Sequence, residues 1–190
     1  EITEQFLAFL ERVACHADAL YILGDLFEYW AGDDDLGDPL NHTVTAALAR
    51  LSNTKRYFLH GNRDFLIGAK FAEACGVQLL SDTHHIDLYG VPTLLLHGDT
   101  LCTDDARYQA FRKQVRNADW QAQFLAQPLA QRKAMIEDLR KMSEQEKGAK
   151  SAAIMDVNLD SVTNALRAHD YPRMVHGHTH RPARPTHAVD

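Results

Sequence analysis

Short apolar runs along this chain each end in a group of metal-binding side chains, and this repetition constrains the fold more than any other feature. The groups are Gly24-Asp25, Gly61-Asn62-Arg63-Asp64, His97-Gly98-Asp99 and the closing run His176-Gly177-His178-Thr179-His180. They follow Ala19 to Leu23, Arg56 to Leu59, Thr93 to Leu96 and Arg173 to Val175, which all read as strands. Ligands placed at strand ends converge along one edge of a sheet, so distant segments can build a single cage.

The intervening sequence has helical spacing, which makes the chain a layered α/β protein. Strands are predicted at Ala19 to Leu23, Arg56 to His60, Val77 to Leu80, Ile86 to Tyr89, Thr93 to His97 and Arg173 to His176. Helices are predicted at Ile2 to His16, Leu40 to Leu51, Phe65 to Cys75, Asp104 to Arg116 and Asp156 to His169. The stretch Trp120 to Lys147 mixes Trp120, Phe124, Leu125, Leu129, Ile136, Leu139 and Met142 with many polar residues and reads as an inserted helical cap, spanning about residues 118–150. Pro128 splits it into two helices. An amphipathic helix packed on the sheet is the plainer reading of the same pattern.

With 190 residues and 45% hydrophobic content, the chain is long enough for one domain with a sizeable core, residues 1–190. A formal net charge of −6, with no basic stripe, argues against a nucleic-acid binder, although bound cations would reverse the local sign for an anionic substrate. Cys15, Cys75 and Cys102 form no close pair and read as reduced thiols of a cytoplasmic protein. No apolar run reaches the roughly 20 residues that span a bilayer. The chain starts at Glu1 in helical spacing and stops just after the histidine cluster, so it is expected to lack a first strand and C-terminal strands.

Each motif has a chemical and a plainer reading. Asp25 after a buried strand can bridge two cations, or cap a helix. The Asn62 amide oxygen suits a hard cation and the Arg63 guanidinium a phosphate oxygen, whereas a turn residue and a surface ion pair or helix cap for Arg63 and Asp64 are the alternatives. His97 can ligate a transition metal or sit hydrogen-bonded in the core. His178 and His180, two residues apart, can face one side as ligands, with His176 as a further candidate, or form a surface cluster. His60 reads as structural, and His16, His42, His84, His85, His169 and His187 as solvated. Ser143, Lys147 and Lys150 fall at i, i+4 and i+7, on one face if a helix continues through Gly148.

As an ordered set, Gly-Asp, Gly-Asn-Arg-Asp, His-Gly-Asp and Gly-His-Thr-His resembles the calcineurin-like metallophosphoesterase superfamily. The longer strings Tyr21-Ile-Leu-Gly-Asp-Leu-Phe-Glu28, His60-Gly-Asn-Arg-Asp-Phe-Leu66, His97-Gly-Asp-Thr-Leu-Cys-Thr-Asp-Asp105, Ala153-Ile-Met-Asp-Val-Asn158 and His176-Gly-His-Thr-His-Arg-Pro182 are similar to the branch acting on UDP-2,3-diacylglucosamine in lipid A biosynthesis. The resemblance implies an αββα sandwich with a helical cap, and hydrolysis of the pyrophosphate to UMP and 2,3-diacylglucosamine 1-phosphate (lipid X). It also implies two divalent ions, Mn2+ by family habit, with Asp25 bridging, Asn62, His97 and His178 on one ion and His180 on the other. An Asp-x-His pair expected for the second ion would lie ahead of Glu1.

By the same resemblance Asn62 and Arg63 are catalytic, and Asn62, Arg63, Asp105, Ser143, Lys147, Lys150 and His178 hold the substrate. The partner is a lipid-linked UDP-sugar, met by peripheral contact with the cytoplasmic face of the inner membrane, with no protein partner. Two other functions stay open: a general nucleotide-sugar pyrophosphatase or phosphodiesterase, and a non-catalytic scaffold with the phosphoesterase fold.

Overall fold

A computed structural model describes residues 2–149 and 156–184 of the chain. It divides into two compact units, Glu1–Ser81 and Asp82–Asp190. Each carries a three-stranded sheet, so the motif strands belong to two sheets rather than the single one their repetition suggests.

In the first unit β1 (Ala19–Ile22), β2 (Lys55–Phe58) and β3 (Val77–Leu79) are parallel in the order β1-β2-β3. Ile22 lies opposite Phe58 and Phe58 opposite Leu79. The segments after β1 and β2 therefore leave from the same end of the sheet, and these segments carry Gly24-Asp25 and Gly61 to Asp64. Helices α1 (Ile2–Arg12), α2 (Pro39–Ala49) and α3 (Ala69–Cys75) accompany the sheet. Helix α2 starts one residue ahead of the Leu40 that its apolar spacing predicts, because the Asp38 side chain accepts from Leu40 N and Pro39 occupies the first turn.

Helix α3 begins four residues later than its apolar spacing suggests, and the cause is remote in sequence. The Asp33 carboxylate accepts from the backbone N–H groups of Gly68, Lys70 and Phe71 at 3.0, 2.9 and 3.1 Å. It also accepts from Trp30 Nε1 at 3.0 Å. A side chain 35 or more positions away thus supplies the cap that Gly68 lacks. Trp30 and Phe71 meet edge to face at 5.2 Å, as do Phe58 and Phe71 at 6.1 Å, while Phe27 and Trp30 are tilted at 4.8 Å. These aromatics, with Leu10, Leu48 and Leu59, form the buried interior of the unit.

The second unit holds an antiparallel hairpin, β4 (Thr83–Leu88) and β5 (Val91–Leu96), with β6 (Arg173–His176) parallel to β5. Tyr89 and Gly90 both have positive φ, the signature of a tight two-residue turn. Leu96 lies opposite His176, so the motifs that follow β5 and β6 also leave from one sheet end. Helices α4 (Ala106–Val115), α5 (Ala118–Leu125), α6 (Leu129–Ala149) and α7 (Leu159–His169) complete the unit. The Asp105, Asn117 and Asn158 side chains cap α4, α5 and α7. Leu94, Leu96, Leu101, Val162 and Leu166 form the core, with Met174 and Tyr171 packed against it.

Pro128 separates α5 from α6 as the sequence requires, and α6 runs through Gly148 to Ala149. Phe124 is buried, whereas Leu125, Met135, Leu139 and Met142 are 39–54% exposed, so these helices keep an accessible apolar side. Among the described residues no helix is long and apolar enough to cross a membrane. Cys75 and Cys102 are buried thiols pushed up to about 11 by desolvation, which accords with small core residues.

Phe71 touches three other aromatic rings and is fully buried. Phe71→Ala is expected to lower stability by about 3–5 kcal/mol, read as a fall in the urea midpoint at unchanged slope.

Candidate metal centre

In the first unit the segments after β1 and β2 are pressed together. Asp25 has φ 54°, an unusual conformation for a residue other than glycine, and its Oδ1 accepts from Arg63 N at 3.0 Å. A Cβ on Gly61 would fall 2.3 Å from both the backbone nitrogen and Oδ1 of Asp25. Only glycine lets these two loops approach so closely.

Asp64 is the brace beneath them. It is wholly buried, and it accepts from Leu26 N at 2.7 Å and Gly61 N at 2.9 Å, tying one loop to the other. Burial pushes its carboxyl up to about 6, the Asp25 charge adds to the rise, and the backbone donors oppose it. It is therefore neither the surface ion pair nor the helix cap that the sequence left open. His60 is structural, its Nε2 lying 2.7 Å from the Ile67 carbonyl oxygen.

The Arg63 guanidinium lies beside Asp25, with Nε 3.6 Å from Oδ2, and its Nη1 pairs with Glu28. Nothing in the sequence singles out Glu28. Its place in Gly24-Asp25-Leu26-Phe27-Glu28 marks it as near the motif, but no pattern distinguishes an anchor for Arg63 from an exposed acid.

In the second unit His97 is 3% exposed, and its ring centre lies 5.0 Å from that of His178. Gly177 N donates to the His97 carbonyl at 2.8 Å, extending the β5–β6 register into the two motifs. Gly98 has φ 113°, and a Cβ there would stand 3.0 Å from the Gly177 oxygen and from His176 Nδ1. His178 and His180 have φ 70° and 53°, so a left-handed turn presents them rather than strand alternation. His178 is half-buried and His180 exposed. His176 Nδ1 lies 3.0 Å from the Gly177 carbonyl oxygen.

Beneath this turn lies a second buried carboxylate, Asp99. It accepts from Tyr108 Oη at 2.7 Å and from Arg112 Nε at 2.8 Å, while Arg112 also pairs with Asp82 at 2.8 Å. Burial acts to raise the Asp99 carboxyl, but Tyr108, Arg112 and His97 outweigh it and hold the group below its ordinary range. The Tyr108 ring stacks 6.0 Å from His178, so α4 reaches the histidine turn through Tyr108. Tyr108 and Arg112 are one helical turn apart, which puts them on one face, but nothing in the sequence says that this face meets Asp99.

The substrate candidates are spread more widely. Asp105 Oδ1 accepts from Tyr108 N at 3.1 Å and so also works as the cap of α4. Ser143 is exposed on α6. Lys147 lies on the same helix, but its side chain falls outside the described residues, as does Lys150 entirely. The string from Ala153 also begins outside them.

Tyr108→Phe removes one of the donors that offset burial of Asp99. Because the folded carboxyl titrates below the unfolded value of 3.8, its stabilisation is present above that pH and is lost as pH falls through the folded value. The variant is expected to be about 1.5–3 kcal/mol less stable near neutrality, with a gap that narrows in acid; urea unfolding across pH would read both.

The calcineurin-like phosphoesterase model matches residues 2–182 of this chain. A protein of Aromatoleum aromaticum named UDP-2,3-diacylglucosamine hydrolase is 54% identical over 187 residues, covering 97% of this chain and 76% of that protein. Proteins of the same name from Serratia proteamaculans and Yersinia pestis are each 53% identical over 184 residues, covering 96% of this chain and 76% of theirs. The motif-bearing loops described above therefore occur in a chain that belongs to the calcineurin-like phosphoesterase family, in its UDP-2,3-diacylglucosamine hydrolase branch.

Proposed function

We propose that this chain is a metal-dependent hydrolase that cleaves the pyrophosphate of UDP-2,3-diacylglucosamine to UMP and 2,3-diacylglucosamine 1-phosphate. The observation that carries this reading is the identity of more than half of all residues, across nearly the whole chain, to proteins of that name. Those relatives are hydrolases of a lipid-linked UDP-sugar by name, and the motif residues supply the chemistry such a reaction needs.

The donors fit first-row divalent ions: a carboxylate from Asp25, an amide oxygen from Asn62, and imidazoles from His97, His178 and His180 are the mixed oxygen and nitrogen set that Mn2+ and its neighbours accept. Two ions, Mn2+ in our reading, would be held with Asp25 shared, Asn62, His97 and His178 on one and His180 on the other. Bound there, the ions would supply a hydroxide nucleophile at neutral pH and neutralise phosphoryl charge.

The protein's own part is electrostatic and geometric. Arg63 would bind a phosphoryl oxygen through its fork of donors, and its contacts with Asp25 and Glu28 hold the guanidinium ready beside the metal carboxylate. Asn62 would take part in both metal and substrate binding. Asp105, Ser143, Lys147, Lys150 and His178 would hold the nucleotide and sugar phosphates. The leaving group is a phosphate monoester with a second pKa near 6, so it departs without a protonating side chain. This suits an arginine after Asn62. The accessible apolar side of α5 and α6 would receive the acyl chains, and the protein would work at the cytoplasmic face of the inner membrane.

Asp25→Ala is expected to reduce turnover to background while the protein stays folded by circular dichroism; retained turnover with manganese would remove Asp25 from the bridging role. Product analysis with diacylated UDP-glucosamine beside its acyl-free counterpart tests the substrate. UMP released from the acylated compound alone is the expected outcome. Equal release would mean a general nucleotide-sugar pyrophosphatase, and no release from metal-loaded protein a scaffold.

A further inference from the structure

His85 and His169 belong to none of the motifs above, and the sequence reads both as solvated. They are indeed exposed, but they are not separate: His85 Nε2 and His169 Nδ1 lie 3.0 Å apart. Strand register accounts for the meeting. His85 of β4 lies opposite Leu94 of β5, and Leu94 packs in one core cluster with Val162 and Leu166 of α7. His85 thus emerges on the side of the sheet that α7 covers, where His169 is the last residue of that helix. The Tyr171 ring, 4.8 Å from the His85 ring, and the His169 ring, 4.9 Å away, flank His85 and restrict its rotation.

The separation matches what a metal ion would ask of two imidazoles. A zinc-like ion takes each nitrogen at about 2.0–2.1 Å, so two nitrogens subtending about 90–110° stand roughly 2.9–3.4 Å apart. The end of α7 adds a field of the right sign, because the last carbonyls of a helix carry partial negative charge. We propose that His85 and His169 form a surface site for one borderline first-row divalent cation, Zn2+, Ni2+ or Cu2+, with water completing its shell. Hard ions such as Mg2+, which favour oxygen ligands, are not expected to occupy it. A bound ion would link β4 to the end of α7 within the second unit.

Calorimetric titration with Ni2+ tests this on the whole chain, using the parent, His85→Gln, His169→Ala and the double variant. The readout is the difference between proteins, so nickel taken up by the motif histidines cancels. The parent is expected to bind one Ni2+ more than each variant, and the double variant to lose no more than either single. Addition of one Cu2+ equivalent beyond the motif sites should give a paramagnetic resonance spectrum with two nitrogen couplings in the parent and fewer in either single variant. Circular dichroism establishes that the variants fold, and their turnover with Mn2+ should match the parent's. Equal nickel stoichiometry in the parent and the folded variants, or a copper spectrum unchanged by both substitutions, would overturn the site and leave the pair as a hydrogen bond only.

Discussion

Parallel pairing, β1 with β2 in one unit and β5 with β6 in the other, is the constraint on which the rest depends. Parallel neighbours run in the same direction, so the segments that follow them emerge together at one end of the sheet. In the first unit this brings Asp25 against Gly61 and Arg63. In the second it brings His97 against Gly177 and His178. Each unit therefore holds a pair of motif-bearing loops already in contact.

Loops that carry ligands cannot rely on apolar packing alone, because their polar backbones must be satisfied where they are buried. Both units meet this with a buried carboxylate under the loops. Asp64 is satisfied by backbone N–H groups, and burial pushes its carboxyl up to about 6. Asp99 has Tyr108 and Arg112 as partners and stays charged. The difference lies in the company each keeps: a nearby carboxylate, Asp25, in the first case, and a guanidinium with a hydroxyl in the second. Leaving either buried acid without its partners would cost more than the hydrogen bonds themselves return, which makes both loops sensitive to changes well away from the motif residues.

Most of the elements were legible in the sequence because local causes set them. Pro128 divides the helical stretch because it lacks an N–H, and Asp38, Asn117 and Asn158 cap helices that apolar spacing alone starts at slightly different residues. Helix α3 was predicted too long because its start depends on Asp33, whose hydrogen bonds cross more than thirty positions. The alternation expected of His178 and His180 gave way to a left-handed turn for a similar reason, since the turn is shaped by contact with the loop after β5. His85 and His169 show the same limit: 84 residues separate them, and only sheet register brings them together.

By itself the sequence determined the α/β class, the strand-end position of the four motifs, the split between α5 and α6 at Pro128 and, through its likeness to known hydrolases, the family. These follow from residue type, short-range spacing and strings that survive as text. Tertiary structure alone decided that Asp64 and Asp99 are buried braces, that Glu28 anchors Arg63, and that Tyr108 and Arg112 support the histidine turn. Those roles depend on which surfaces meet across long loops, and a side chain's burial and charge partners are properties of that meeting rather than of its neighbours in the chain.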